Sequence, residues 1–139
     1  MARLPAVSEY MDRVVHTLRE DQDLLSATDF LIEHHVTGAP VVDEHGTVVG
    51  ILTEKDCLKL LTLGAADADT PVGTVGDYMH RHVVTIEPDM NIYYAAGLFL
   101  HHSFRRLPVV HDGQLVGAIT RFDILKAVSA NHRLVAGAD

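Results

Sequence analysis

The sequence predicts an α+β protein made of two copies of one unit, each ordered strand, helix, strand, strand, helix. Three observations lead there: an internal repeat in a single register, β-branched runs arranged as hairpins, and apolar residues at helical spacing on either side of each hairpin. Tyr10-Met11 recurs as Tyr78-Met79, Thr17 as Thr85, Asp21 as Asp89, and Ala27 as Ala95. His34 recurs as His102 and Pro40-Val41-Val42 as Pro108-Val109-Val110, all at an offset of 68. One residue is then lost in a turn ("DEHG" against "HDG"). Gly50, Thr53, Asp56 and Lys59 meet Gly117, Thr120, Asp123 and Lys126 at an offset of 67. One register with one turn deletion is a duplication.

Each element follows from its residues. The short extended pieces "VVHTL" and "HVVTI" open the copies. "DLLSATDFLIEHH" (23–35) then sets Leu24, Ala27 and Leu31, with Thr28, Ile32 and His35, at helical spacing. "MNIYYAAGLFLHHS" (90–103) repeats this with Ile92, Ala95, Ala96, Phe99, Leu100 and Ser103. "PVVD" and "TVVGILT" flank a Glu-His-Gly turn, and "LPVVH" and "QLVGAIT" flank Asp112-Gly113, so both read as hairpins. A second helix follows each hairpin, over 54–63 and 121–130. The predicted domains are therefore 7–62 and 75–130, with a linker at 63–74 and a tail at 131–139. A unit of about 60 residues is marginal alone, so the two sheets are expected to pack against each other by pseudo-two-fold symmetry.

Composition narrows the function. The 139 residues are 47% hydrophobic and 22% charged, which is globular rather than disordered. No uncharged apolar run approaches membrane-spanning length, and "MARLPAVSEYMDR" lacks the apolar core of a signal peptide. The single Cys57 builds no disulfide framework and fits a reducing cytoplasm; next to Leu58 it reads as helix packing rather than a nucleophile. A net charge of −8 argues against a nucleic-acid partner, and any anionic ligand must be held by local donors against that field. The ten histidines include the adjacent pairs His34-His35 and His101-His102, which point about 100° apart on a helix and do not chelate together. His80 and His82 flank Arg81 and read as surface residues, so no metal site is expected. The chain has no phosphate-loop motif.

The repeated signature is Gly38-Ala39-Pro40-Val41-Val42, then Val49-Gly50-Ile51-Leu52-Thr53-x-x-Asp56. It recurs as Arg106-Leu107-Pro108-Val109-Val110, then Val116-Gly117-Ala118-Ile119-Thr120-x-x-Asp123. In this the chain resembles a tandem pair of CBS domains, the module named after cystathionine β-synthase. The resemblance covers nearly the whole chain. It implies a regulatory module rather than an enzyme, one that binds adenine nucleotides in clefts between the two units and pairs into a homodimeric disc. With no room for an attached effector domain, its output is expected on a separate protein.

The Thr-x-x-Asp motif supports two compatible roles. A strand-end Thr and a first-turn Asp make a helix cap. An Asp carboxylate there can also accept from both hydroxyls of a ribose while the Thr O–H and first-turn N–H groups face a phosphate. The resemblance implies two sites of mixed origin. The main one takes Thr120 and Asp123, with Arg105 and Arg106 near the phosphate and Thr17, Leu18, Thr37, Gly38, Ala39 and Pro40 around the base. The second takes Thr53 and Asp56, with Thr85, Ile86, Leu107 and Pro108 around the base. Only the first has basic residues in the phosphate position, since Thr37-Gly38 aligns with Arg105-Arg106. One competent site per chain is therefore expected, for AMP first, then ADP or ATP, with S-adenosylmethionine also open. The alternatives are a docking module that needs no ligand and a histidine-based metal binder. Ile92, Phe99, Leu31 and Leu61 are candidates for an apolar dimer face or, equally, for burial within the chain.

Overall fold

The computed structural model describes residues 4–63 and 73–131. The linker and the C-terminal tail expected from the sequence lie largely outside these residues. Two compact units emerge, and they cut the chain differently from the repeat: His16–Val83 forms one, and the segment up to Val15 joins the chain from Val84 onward to form the other.

In the unit 16–83, helix α1 (Leu24–Glu33) is followed by strands β1 (Gly38–Val42) and β2 (Val48–Thr53), and then by α2 (Glu54–Leu58), α3 (Leu60–Leu63) and α4 (Val75–Tyr78). Helix α1 begins at Asp23, whose carboxylate accepts from the Leu25 and Ser26 amides at 2.9 and 3.3 Å. Leu24, Ala27 and Leu31 are buried along one face of this helix. They pack on Leu18, Ala39, Val41, Leu52, Cys57, Val75 and Met79. The other unit holds α5 (Ile92–His101), β3 (Arg106–His111), β4 (Gln114–Thr120) and α6 (Arg121–Ala130), with a 3₁₀ turn at Val7–Glu9. Nine of its ten core residues are repeat equivalents of the first: Val7, Ile86, Ile92, Ala95, Phe99, Leu107, Val109, Ile119 and Ile124, with Ala127 in place of Met79. Ile92, Phe99 and Leu31 are thus core residues of their own units and not an exposed face. The Leu61 side chain lies outside the described ones. Large apolar side chains are instead exposed at Leu25, Ile32, Tyr93, Tyr94, Leu100, Phe122 and Leu125.

The extended piece expected to open each copy is reduced to one parallel bridge, Leu18 to Val41 and Ile86 to Val109. Leu18 N–H donates to the Pro40 carbonyl at 3.0 Å and Val42 N–H to the Leu18 carbonyl at 2.9 Å. This explains the repeated proline. Pro40 pairs with Ile51, whose N–H and carbonyl both turn away from β1 to His80 at 2.9 Å, so the missing proline N–H costs β2 nothing. The far edge is closed in both units by an antiparallel bridge, His80 to Ile51 and Asp12 to Ala118. A residue is bulged in β2 and in β4 at the same place, beside Val41/Val42 and Val109/Val110.

Three features are not evident from periodicity. The Val7–Glu9 turn and α4 are single short turns, of three and four residues. The helix expected over 54–63 breaks at Lys59, whose N–H reaches the Asp56 carbonyl at 3.3 Å in a tightened last turn. Thr62 Oγ1 then donates to the Lys59 carbonyl at 2.7 Å. In the hairpin turns, Asp112 and Gly113 have φ of 51° and 78°, the pairing that a two-residue type I′ turn requires. The longer first turn is organised by Asp43, whose carboxylate accepts from the His45 and Thr47 amides at 2.9 and 3.0 Å.

The glycine in each second strand, Gly50 and Gly117, has a steric reason. A Cβ on Gly117 would sit 2.8 Å from the Asp12 carbonyl oxygen, and one on Gly50 would sit 3.0 Å from that of His80. Gly117→Ala is expected to lower unfolding free energy by about 1–3 kcal/mol, because a backbone oxygen held in a bridge cannot give way; urea titration of the variant checks this. The Thr47 amide holds the Asp43 carboxyl below its ordinary 3.8, aided by the His45 amide and the charges of His45 and Arg19 and opposed by partial burial. Its folded value is depressed, so its contribution is complete above 3.8 and is lost as pH falls through the lower folded value. The His45 and Thr47 amide signals should titrate together with a midpoint below 3.8 in an NMR acid series; a midpoint at or above that value contradicts this role for Asp43.

Candidate functional site

Both units present one chemical feature, a carboxylate at the junction from second strand to second helix. Thr120 ends β4 in extended conformation, with φ −115° and ψ 168°. Its N–H and Oγ1 donate to Asp123 Oδ2 at 2.9 and 3.0 Å, and Asp123 N–H donates back to Thr120 Oγ1 at 3.2 Å. Thr53 N–H and Oγ1 donate likewise to Asp56 Oδ2 at 2.8 and 3.0 Å. Both threonine hydroxyls therefore donate within the cap, to the neighbouring carboxylate, and do not face a phosphate as expected. Each Asp keeps one oxygen, Oδ1, outside the cap. Among the described residues, Asp56 and Asp123 are the buried charged side chains, at 1% and 8% exposure. Lys126 Nζ lies 3.1 Å from Asp123 Oδ1, and Lys59 Nζ lies 3.7 Å from Asp56 Oδ1.

The surroundings of the two carboxylates differ. Arg106 is the cross-strand partner of Thr120, so its side chain starts beside the cap, whereas Gly38 holds that place opposite Thr53. Arg105 is exposed and Arg106 half-buried, and among the described residues neither has an ion-pair partner. The first residue of α6 is Arg121, where α2 has Glu54. The sequence reading missed Arg121, although the repeat register displays the exchange. Arg106, preceded by Arg105, thus stands opposite Thr120, Arg121 follows it in sequence, and Lys126 reaches Asp123, in a chain of net charge −8.

The base-side residues separate into two groups. Leu18, Ala39 and Pro40 are buried in the unit 16–83, and Ile86, Leu107 and Pro108 are buried in the other. The Leu107 and Ala39 side chains are 1% exposed and belong to the cores of their own units, so a size difference between them is felt there. Thr37 and Thr85 are exposed, and Thr17 and Gly38 are half-buried. The Thr37 carbonyl is held by Glu54 N–H at 2.8 Å. Beside Thr17, the His16 ring stacks on His34 at 3.9 Å between centroids, and Phe30 lies 4.4 Å from His34. Among the described residues no three metal-ligating side chains come together, and no helix is long and apolar enough to cross a membrane.

Comparison with known proteins bears on this arrangement. The family model for the CBS domain matches residues 7–63 and again 75–130. The chain belongs to the CBS-domain family. A curated relative, the uncharacterized protein MJ1225 of Methanocaldococcus jannaschii, is 33% identical over 125 residues. That match takes in 90% of this chain but only 43% of the relative. The Arabidopsis thaliana CBS-pair protein CBSX2, solved in complex with AMP, is 33% identical with a TM-score of 0.79, covering 92% of this chain and 98% of that one. The CBS domain pair of protein MJ0100, solved with 5′-methylthioadenosine and S-adenosyl-L-methionine, is 27% identical with a TM-score of 0.77, covering 93% and 99%. The ligands in those relatives share an adenosine group.

Thr120→Ala removes the hydroxyl that both donates to Asp123 and accepts from its amide, and is expected to cost about 1–2 kcal/mol. Thr120→Ser should recover most of it. Thermal unfolding of the two variants checks the cap, and equal losses in both would contradict it.

Proposed function

We propose that this CBS pair senses adenosine-derived ligands, AMP first, then ADP or ATP and S-adenosylmethionine, and modulates a separate protein. The observation that carries the reading is the buried Asp123 carboxylate, with one oxygen outside its cap, at a junction where Arg106 stands opposite Thr120 and Arg121 opens the helix. That oxygen accepts from ribose hydroxyls, and the arginines meet a phosphate. Thr17, Leu18, Thr37, Gly38, Ala39 and Pro40 take the base side of this main site. The buried members of that set contribute backbone groups and shape rather than side-chain tips. Three arginines favour a phosphate-bearing ligand. The AMP complex of CBSX2 supports that class, and the MJ0100 complex keeps S-adenosylmethionine in the series.

The second site, built on Thr53 and Asp56 with Thr85, Ile86, Leu107 and Pro108, is the weaker. It has Gly38 and Glu54 where the first has Arg106 and Arg121. A homodimer fits the exposed Tyr93, Tyr94 and Leu100 of α5 and Phe122 and Leu125 of α6, since a monomer seldom leaves so many large apolar side chains uncovered. The same side chains favour the second reading, a docking module that needs no ligand.

Calorimetric titration with AMP, ADP, ATP and S-adenosylmethionine separates the two readings. Asp123→Asn, which keeps a cap acceptor, and Asp123→Ala are expected to abolish binding. Asp56→Ala should leave most of it. One lost charge-assisted hydrogen bond is worth about 1.5–3 kcal/mol, or roughly tenfold or more in affinity. Equal losses from the Asp123 and Asp56 variants would refute a single main site, and no binding of any of the four ligands would leave the docking reading.

A further inference from the structure

We infer that His80 is a built-in occupant of the Asp56 carboxylate and closes the second site to nucleotide; the inference rests on the adenosine-ligand reading above. His80 Nε2 lies 3.0 Å from Asp56 Oδ1, the one oxygen the cap leaves over. The Asp56 side chain is 2% exposed, so it has little room for a second donor of that size. A ribose hydroxyl would have to take the imidazole's place.

The repeat supplies an internal control. His80 and Asp12 hold the same position in the two units, each forming the antiparallel bridge to the second strand, His80 to Ile51 and Asp12 to Ala118. The backbone therefore presents these side chains from equivalent places. At one junction the residue is an imidazole whose Nε2 stands 3.0 Å from the carboxylate's remaining oxygen. At the other it is a carboxylate itself, cannot donate when ionised, and accepts from the Val14 amide at 3.0 Å. The lysines do not make the difference, because both junctions have one. Lys126 stands 3.1 Å from Asp123 Oδ1, but Lys59 stands back at 3.7 Å from Asp56 Oδ1, where the imidazole is nearer. A lysine three residues along the helix, on a flexible stem, can swing toward a phosphate as ligand enters. His80 has a short side chain and a backbone fixed at 2.9 Å to Ile51 in both directions, so it has less freedom to withdraw. The asymmetry of the pair is therefore enforced by a contact as well as by the absent arginines.

The test is the number of AMP molecules bound per chain, with S-adenosylmethionine as a second probe. Wild type is expected to bind one. His80→Ala, and His80→Asp, which places the Asp12 residue type at this position, are expected to bind a second, with affinity at the Asp56 site raised on the order of tenfold or more. His80→Gln keeps an N–H donor and should remain closed. The double variant His80→Ala, Asp123→Asn should bind one ligand where Asp123→Asn alone binds none, and thermal melts establish that each variant is folded. Two equal sites in wild type, or a double variant that binds no better than Asp123→Asn, would overturn the role given to His80. Absence of binding in wild type and His80→Ala alike would overturn the nucleotide reading itself, and this role with it.

Discussion

A buried carboxylate must find partners, and in this chain that requirement sets the geometry of everything around it. A carboxylate at 1% exposure, like Asp56, is tolerable only if its lone pairs are met by donors. Thr53 supplies two of them, from its amide and its hydroxyl, and this is possible only if the strand ends at Thr53 and the helix begins at Glu54. The cap thus fixes where β2 stops, where α2 starts and which way the first turn faces. The hairpin register follows, since Gly38 must stand opposite Thr53 and Arg106 opposite Thr120. The same requirement leaves one oxygen of each carboxylate outside the cap, with Lys126 3.1 Å from that of Asp123 and His80 3.0 Å from that of Asp56.

Duplication lets the two roles separate. Positions that serve the cap and the core keep their character in both copies: Pro40 and Pro108, Gly50 and Gly117, Thr53 and Thr120, Asp56 and Asp123. The positions that surround the remaining oxygen do not. Glu54 faces Arg121 across the repeat, Gly38 faces Arg106, and His80 faces Asp12. Each of these exchanges changes charge or donor character without touching the buried core, so the scaffold tolerates them.

Much of this was legible beforehand because it is local or repeated. Helical spacing located α1, α5 and α6, the Asp112-Gly113 turn located a hairpin, and Thr-x-x-Asp located both caps. What escaped depends on partners distant in sequence. "VVHTL" has strand composition, yet only Leu18 meets β1, and nothing local tells how many ladder bonds a neighbour will offer. Leu107 reads as a residue beside the base of the second site until burial places its side chain in the core. His80 reads as a surface histidine, and its ring is indeed largely exposed, but its Nε2 reaches an anion 24 positions earlier. The break at Lys59 turns on a tightened hydrogen bond that periodicity does not register.

The compact units are permuted against the repeat: the segment up to Val15 completes the body formed by the chain from Val84 onward. Asp12 must find Ala118, and Val7 must find Met90, before that body is whole. A ribosome emits the chain in order, so the unit 16–83 holds all its parts while the other still waits for its later strands. Its opening segment is an unpaired edge in the meantime, with Val7 uncovered. The permutation makes synthesis sequential: one half folds from contiguous chain, and the other closes last, over the longest loop in the molecule.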